Sequence, residues 1–241
     1  MIYVSMTGAK EAMQRQDVLS NNLANVNTVG FRAQLHAFRA VPLQNDSAAS
    51  TRVFGTETTT GYNDAQGPMQ QTGRSLDVAV QGSKSWLAFQ GLDGTEAYSR
   101  AGDLTVGADG TLQTHSGLLA MGDGGPIQVP ANASVQIAPD GTVNATTAGG
   151  RPTQIGRLKI VSSETPLVRG EDGLFRAQDG QPLPADENGR VVDGFLEGSN
   201  VSAVETMVNM ITAARQFEAQ MKMIQTAQSD GQAASKLLSM G

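Results

Sequence analysis

The order of apolar and polar residues changes character twice along the chain. Near the N-terminus Ile2, Met6, Ala9 and Met13 are spaced four, three and four apart, and after a break at Gln16 the steps resume at Leu19, Leu23 and Val26. Side chains three and four positions apart share a helix face, so this period predicts one helix with a single apolar stripe. Asn25-Val26-Asn27-Thr28-Val29-Gly30 should end it, because Asn and Gly accept the left-handed backbone of a helix C-terminus. Toward the other end Met207, Met210, Ala214, Phe217, Met221 and Ile224 alternate steps of three and four, the spacing of a heptad seam. Val204, Val208 and Ile211 widen that stripe, and Ser202-Ala203-Val204-Glu205 has the form of a capping box. Asp230-Gly231 interrupts the pattern, which Leu237-Leu238 could resume. A helix from Ser202 to Ser239 would be on the order of 55 Å long at about 1.5 Å per residue, too long for its seam to be satisfied without a partner.

The middle obeys a different rule. Asp-Gly pairs stand at Asp93-Gly94, Asp109-Gly110, Asp123-Gly124, Asp140-Gly141, Asp172-Gly173, Asp179-Gly180 and Asp193-Gly194, with Asn188-Gly189 besides. Such pairs suit the primed turns of two-residue hairpins, in which both central residues need positive φ. Between them lie the short runs Leu76–Val80, Trp86–Phe89, Val135–Ile137 and Leu158–Val161. Short strands punctuated by turns predict a β barrel or sandwich. Residues 42–72, rich in Thr, Ser, Gln and Gly, read as an extended connector. The expected fold is therefore α+β, with the terminal helices paired as a coiled-coil-like hairpin and a β-rich domain inserted between them. Its expected parts are a helical domain of residues 1–30 and 199–241, a connector of 31–72, and a β domain of 73–198.

Composition sharpens the contrast between ends and middle. Of 28 glycines, 21 fall between Gly73 and Gly198, which leaves the helical ends nearly free of them. The net charge of −6 comes without a Lys/Arg stripe that could neutralise phosphates, so no nucleic-acid partner is expected. Cysteine is absent, which removes disulfides and thiolate metal sites. No apolar run approaches the roughly 20 residues that cross a bilayer, and Met1–Met6 lacks the charged start and apolar core of a secretory signal. A soluble, non-spanning chain without a general secretory signal is expected.

Catalytic chemistry has little to work with. His36 and His115 lie in unlike segments, and no ligand-type His spacing occurs. Gly82-Ser83-Lys84-Ser85 lacks the preceding glycine of a phosphate loop, and Gly122-Asp123-Gly124-Gly125 is a turn and not a dinucleotide fingerprint. The acidic residues of the middle mostly sit in Asp-Gly turns, where local backbone bonding accounts for them. No catalytic residue, metal ligand, cofactor or small-molecule substrate is expected.

Leu19-Ser20-Asn21-Asn22-Leu23-Ala24-Asn25-Val26-Asn27-Thr28-Val29-Gly30-Phe31-Arg32 resembles the N-terminal signature of the flagellar rod, hook and hook-associated axial proteins. Glu197-Gly198-Ser199-Asn200-Val201, Glu205–Ile211 and Ala214–Lys222 resemble that family's C-terminal signature, and Leu76–Gly82 and Tyr98–Gly102 its β-domain motifs. The motifs fall in the family's order over nearly the whole chain. Gly30–Leu35 through Phe38–Pro42, and the ending Leu237–Gly241, are similar to the proximal-rod members, whereas the acidic and aromatic stretch of distal-rod members is missing. The family usually has a residue or two before the Ile-Tyr pair found here at Ile2-Tyr3.

This resemblance implies a structural subunit of the basal-body rod, built helically into a hollow drive shaft in the periplasm. Its implied partners are copies of itself, other rod proteins and, in transit, the flagellar type III export apparatus, which requires no cleaved signal peptide. The terminal helices would form the inner layer of the shaft and the β domain the outside. The seam expected to meet other subunits is Met6, Met13, Leu19, Leu23, Met207, Met210, Ile211, Ala214, Phe217, Met221 and Ile224. The signature turn is Asn21, Asn22, Asn25, Asn27, Gly30 and Phe31, with Phe31 anchoring the connector against the helices. A side chain at Gly30 is expected to misdirect the exit from the first helix and to leave the β domain's melting temperature nearly unchanged. A distal-rod or hook-like subunit is the nearer alternative, and a secreted β domain that binds or cleaves peptidoglycan the more distant one.

Overall fold

The computed structural model describes residues 2–42, 53–91 and 93–239. Residues 43–52 of the expected connector and residues 240–241 of the family-like ending lie outside it, as does the side chain of Ile2. The chain forms two helices and a set of antiparallel sheets, and it divides into two compact units.

One unit comprises Met1–Val26, Ala33–Tyr62 and Val201–Gly241. It contains helix α1 (Ile2–Ala24), a two-stranded ribbon of β1 (Gln34–Pro42) and β2 (Val53–Tyr62), and helix α2 (Ala203–Ser239). The ribbon lies within the stretch expected to be an extended connector. Its strands pair antiparallel from Gln34↔Tyr62 to Pro42↔Val53, with an irregularity between Leu35 and Ala37. Thr56, Thr58, Thr59 and Thr60, which made this stretch look like a loop, are β-branched and suit a strand once a partner is present.

Helix α1 ends near the expected place, but without the left-handed asparagine expected there, since neither Asn25 nor Asn27 has positive φ. Asn25 donates its backbone N–H to Asn21 O and Asn22 O, and its side-chain amide to Asn21 O at 2.9 Å, so carbonyls of the last turn are occupied. Asn22 does something else: its side chain donates to Gln34 O at 2.9 Å and accepts from Gln34 N at 2.8 Å, pairing as a strand neighbour would with the start of β1. Ser202 caps α2 through the Glu205 N–H, and the helix then runs for 37 residues straight through Asp230-Gly231.

The second unit comprises Asn27–Arg32 and Asn63–Asn200. Its largest sheet has nine strands along an open path: Val168–Arg169, Phe175–Arg176, Glu96–Ser99, Ser85–Gln90, Leu119–Gly122, Leu112–Thr114 and Leu104–Val106, with Gly125–Pro126 and Ile160–Ser162 as branches. Ser134–Ile137, Thr142–Thr146 and Thr153–Arg157 make a three-stranded sheet, and two small ribbons join Val78–Val80 to Val191–Asp193 and Met69–Gln71 to Phe195–Glu197. No barrel closes among the described residues, contrary to one of the two expected shapes. The strands are two to six residues long and glycine turns divide them, so the layers stay small and separate.

Burial explains the register. Ser134–Ile137 alternates exposed and buried, as a strand with one wet face must. Val78–Val80 is buried at every position. Val78, Val80, Leu87, Phe89, Leu104, Leu112, Val143, Ile160 and Val191 form one apolar core.

The Asp-Gly turns are not of the primed type expected. Only Asn132 among non-glycine described residues has positive φ, so each aspartate keeps an ordinary backbone, and the glycine alone is left-handed at all but Asp123-Gly124: Gly94 at 78°, Gly110 at 79°, Gly141 at 84°. Gly94 N–H bonds to Gly91 O while Gly91 N–H bonds to Thr95 O, and Gly107–Thr111 and Ala138–Thr142 repeat the arrangement. This is a type I turn followed by a left-handed bulge residue. The aspartate side chain turns forward instead: Asp109 Oδ1 accepts from Thr111 N at 3.2 Å and Thr111 Oγ1 at 2.7 Å, with equivalent bonds from Asp93 to Thr95 and Asp140 to Thr142. The threonine side-chain and backbone bonds hold the Asp93, Asp109 and Asp140 carboxyls below their ordinary values.

Candidate functional site

The helical unit shelters an unexpected set of residues. On α1, Ser5, Ala9 and Ala12 are buried and Gln16, Leu19 and Leu23 half-buried, in steps of four, three, four, three and four that pass through the apparent break at Gln16. On α2, Thr206 and Ala213 are buried, and Met210, Phe217, Gln220, Ile224 and Ala227 half-buried, again in steps of four and three. The two helices pack with Gly8 so close to Gln220 that a methyl group on Gly8 would stand 3.0 Å from its Cδ. Small side chains permit that approach.

The expected seam is therefore split. Leu19, Leu23, Met210, Phe217 and Ile224 lie on the sheltered stripes, and Ala214 is half-buried beside them. Met6, Met13, Met207, Ile211 and Met221 face outward, together with Val204, Val208 and Met223; Met13 is 59% and Val208 57% exposed. The fully buried positions of the inner stripes are the small residues Ser5, Ala9, Ala12, Thr206 and Ala213, with the larger apolar residues half-buried among them.

The strand-rich unit holds the other concentration of family motifs. Arg32 from the N-terminal signature, Arg100 from the β-domain motif and Glu197 from the C-terminal signature meet with side-chain exposures of 0%, 0% and 1%. Arg32 Nη1 donates to Glu197 Oε1 at 2.6 Å, and Arg100 Nε to Glu197 Oε2 at 2.8 Å. Gly67 N–H adds a bond to Oε1 at 2.9 Å. Arg100 spends its remaining reach on three carbonyls, Ser83 O, Val80 O and Gly82 O. Burial lowers the Arg100 guanidinium from its ordinary value; Glu197 opposes that and Arg32 adds to it. Arg32 Nε and Nη2 find no acceptor among the described residues, so the junction carries one positive charge in excess. A buried charge of this kind is tolerable only with its partner in place, and removing one member costs about 3–5 kcal/mol.

Aromatic rings complete a circuit. The Arg100 guanidinium lies 5.7 Å from the Trp86 ring centre, Trp86 and Phe175 are 4.7 Å apart, and Arg169 stands 5.7 Å from Phe175 and 4.4 Å from Phe31. Arg169 also donates to Arg32 O at 3.1 Å, which returns the path to its start. Within the strand-rich unit, Phe31 holds the turn through Arg169, which lies in the strand Val168–Arg169.

Gly30 has φ of 68°, and its N–H donates to Glu197 O at 2.7 Å. A Cβ there would lie 2.3 Å from Arg100 C and 2.4 Å from Ala101 N. The expectation that a side chain at Gly30 would spare the β domain is accordingly corrected, because the residue is built into that unit. Of the signature turn, Asn22 and Asn25 have the bonds described above, while Asn21 and Asn27 are exposed. The pairing of Arg32, Arg100 and Glu197 escaped the sequence reading. Its signal was three charged residues set in otherwise apolar or glycine-rich motifs.

Other titratable groups are structural in the same sense. Burial pushes the Tyr98 phenol up, and Tyr98 Oη donates to Glu96 and accepts from Leu183 N–H. Burial also raises the Asp103 carboxyl, with Asp77 adding to it and His115 opposing. No group of three potential metal ligands exists among the described residues.

Family models match along the chain: "Flagella basal body rod protein" over residues 2–32, "Flagellar hook protein FlgE/F/G D1 domain" over 79–145, and "Flagellar basal body rod FlgEFG protein C-terminal" over 192–237. Each span contains one member of the buried junction: Arg32, Arg100 and Glu197 in turn. The flagellar basal-body rod protein FlgF of Salmonella typhimurium is 44% identical over 99% of this chain and 98% of its own length, and that of Escherichia coli matches equally. FlgG of Bacillus subtilis is 33% identical over 94% of both chains. With motifs, order and length in agreement, the chain belongs to the flagellar basal-body rod protein family.

Proposed function

We propose that this chain is a structural subunit of the proximal rod of the bacterial flagellar basal body. The reading rests on family membership and, within this molecule, on one observation: the outward faces of α1 and α2 carry Met6, Met13, Met207, Val208, Ile211 and Met221, apolar residues that a lone chain gains nothing by exposing. In this reading the helices act as one hairpin into which the strand-rich unit is inserted. Their outer faces are covered by copies of the same chain and by other rod proteins, in a helical shaft that transmits torque. The chain reaches the periplasm through the flagellar type III apparatus. It performs no catalysis and needs no cofactor.

The test is substitution on the outer face. Met207→Glu and Met221→Glu should leave the chain folded, with unchanged melting temperature, and should abolish its incorporation into basal bodies and with it motility. Full motility in both would refute the assignment of this face to subunit contacts.

A further inference from the structure

The three buried charges of the junction are spread unevenly along the chain. The two arginines come at positions 32 and 100. The carboxylate that bonds both comes 165 residues after the first and 97 after the second. A strand-rich unit closed before residue 197 is available would bury two like charges with no counter-ion, a state that buried guanidinium groups resist strongly.

Backbone pairing follows the same order. Val78–Val80 finds its partner at Val191–Asp193, and Met69–Gln71 at Phe195–Glu197. Gly30 N–H bonds to Glu197 O, and Asn200 N–H to Phe31 O. By contrast the hairpins Ser85–Gln90 with Glu96–Ser99, and Leu104–Val106 with Leu112–Thr114, are local and need nothing from the far end.

We propose that Glu197 is a folding checkpoint: Arg32 and Arg100, without a counter-ion, keep the junction open until the segment around 191–200 arrives, and the Glu197 carboxylate is the charge that lets it close. It then draws the turn 27–32, Arg100 and the Trp86 stack together in one step. Local hairpins form earlier, but the unit stays open along this line while any chain grows from its N-terminus. Charge, and not only shape, sets the order.

Trp86 is the single tryptophan of the chain and sits between Arg100 and Phe175, so its fluorescence reports closure. The experiment refolds the full chain from denaturant, follows Trp86 by stopped flow, and pulse-labels amides by hydrogen exchange. In the parent chain, protection of 27–32, 78–80 and 191–200 should appear in the same phase as the Trp86 change. Glu197→Gln, which keeps the shape and removes the charge, should slow that phase at least tenfold or prevent it. Arg32→Met/Glu197→Gln restores the junction to its original net charge while keeping one carbonyl acceptor, for either Gly67 N–H or Arg100 Nε, and should recover most of the lost rate. Refolding of Glu197→Gln within twofold of the parent overturns the proposal. So does a double variant no faster than Glu197→Gln or unable to fold, because the carboxylate would then act through its fit alone.

Discussion

In the strand-rich unit Trp86, Leu87 and Phe89 are all but inaccessible, and so are Arg32, Arg100 and Glu197; in the helical unit the most sheltered residues are Ala12, Ala213 and Ser5, while Met13, Val208 and Ile211 face outward. One unit puts its large side chains inside and supplies partners for the charges it buries. The other fully buries only small residues, half-buries Leu19, Leu23, Met210, Phe217 and Ile224, and leaves several large apolar residues outside. The difference separates stability from assembly. A fold that closes its own apolar core and pairs its buried carboxylate realises its hydrophobic gain in one chain, whereas a helix pair that displays methionines leaves much of that gain to be realised elsewhere.

The largest expected effect falls on the strand-rich unit. Trp86→Ala removes a ring held between a cation and an aromatic, and should cost about 3–5 kcal/mol in denaturant unfolding. No single truncation of an outward methionine should approach that, and one that did would break the contrast. Next comes Gly30→Val, which adds left-handed strain and an overlap with the Arg100 backbone. A loss on the order of 2–4 kcal/mol in the strand-rich unit is expected, with Gly30→Ala milder. An unchanged melting temperature would show that the turn is not part of that unit's packing.

In the helical unit Ala213→Leu should cost about 1–3 kcal/mol by overpacking the close helix approach, while Met13→Gln should stay within about 0.5 kcal/mol. Comparing the two in the full chain by hydrogen exchange along α1 and α2 sharpens the assignment of inner and outer faces. The reverse ranking would mean that the faces are exchanged.

The smallest effects concern pH. Asp93, Asp109 and Asp140 have lowered folded pKa values, so their contribution is fully present above the ordinary carboxylate range and is lost as pH falls through it. Thr111→Val should therefore lower the melting temperature near neutrality and have a shrinking effect in acid. Asp103 is the opposite case. Its raised folded pKa makes the ionised form a burden at neutral pH that vanishes in acid, so Asp103→Asn should raise the melting temperature only near neutrality. Parallel thermal scans across the carboxylate range check both signs.

Which parts of this were legible from sequence follows from how local their causes are. The end of α1 at its asparagines, the start of α2 at Ser202 and the left-handed glycines each depend on a few neighbouring residues, and each could be read directly. The seam divides in the structure: Leu19, Leu23, Met210, Phe217 and Ile224 lie on the packed face with Ser5, Ala9, Ala12 and Ala213, while Met6, Met13, Met207 and Met221 face outward, a division that period alone does not reveal. The turns were placed correctly and typed wrongly, since Asp-Gly alone does not reveal that a threonine two positions on will hold the aspartate side chain. The meeting of Arg32, Arg100 and Glu197 was invisible for a plain reason. No local pattern links residues 97 and 165 positions apart.

The repeated Asp-Gly turn bears also on chemical ageing. Aspartate followed by glycine is the pair most prone to isomerise, through attack of the glycine amide nitrogen on the aspartate side-chain carbonyl carbon. Here Gly94, Gly110 and Gly141 each donate that N–H back across the turn, to Gly91, Gly107 and Ala138. The carboxyl is meanwhile held forward on the threonine by two bonds and kept ionised, the form that resists attack. The geometry that closes each hairpin also holds nucleophile and target apart, giving a part built for long service protection at its most vulnerable sequence.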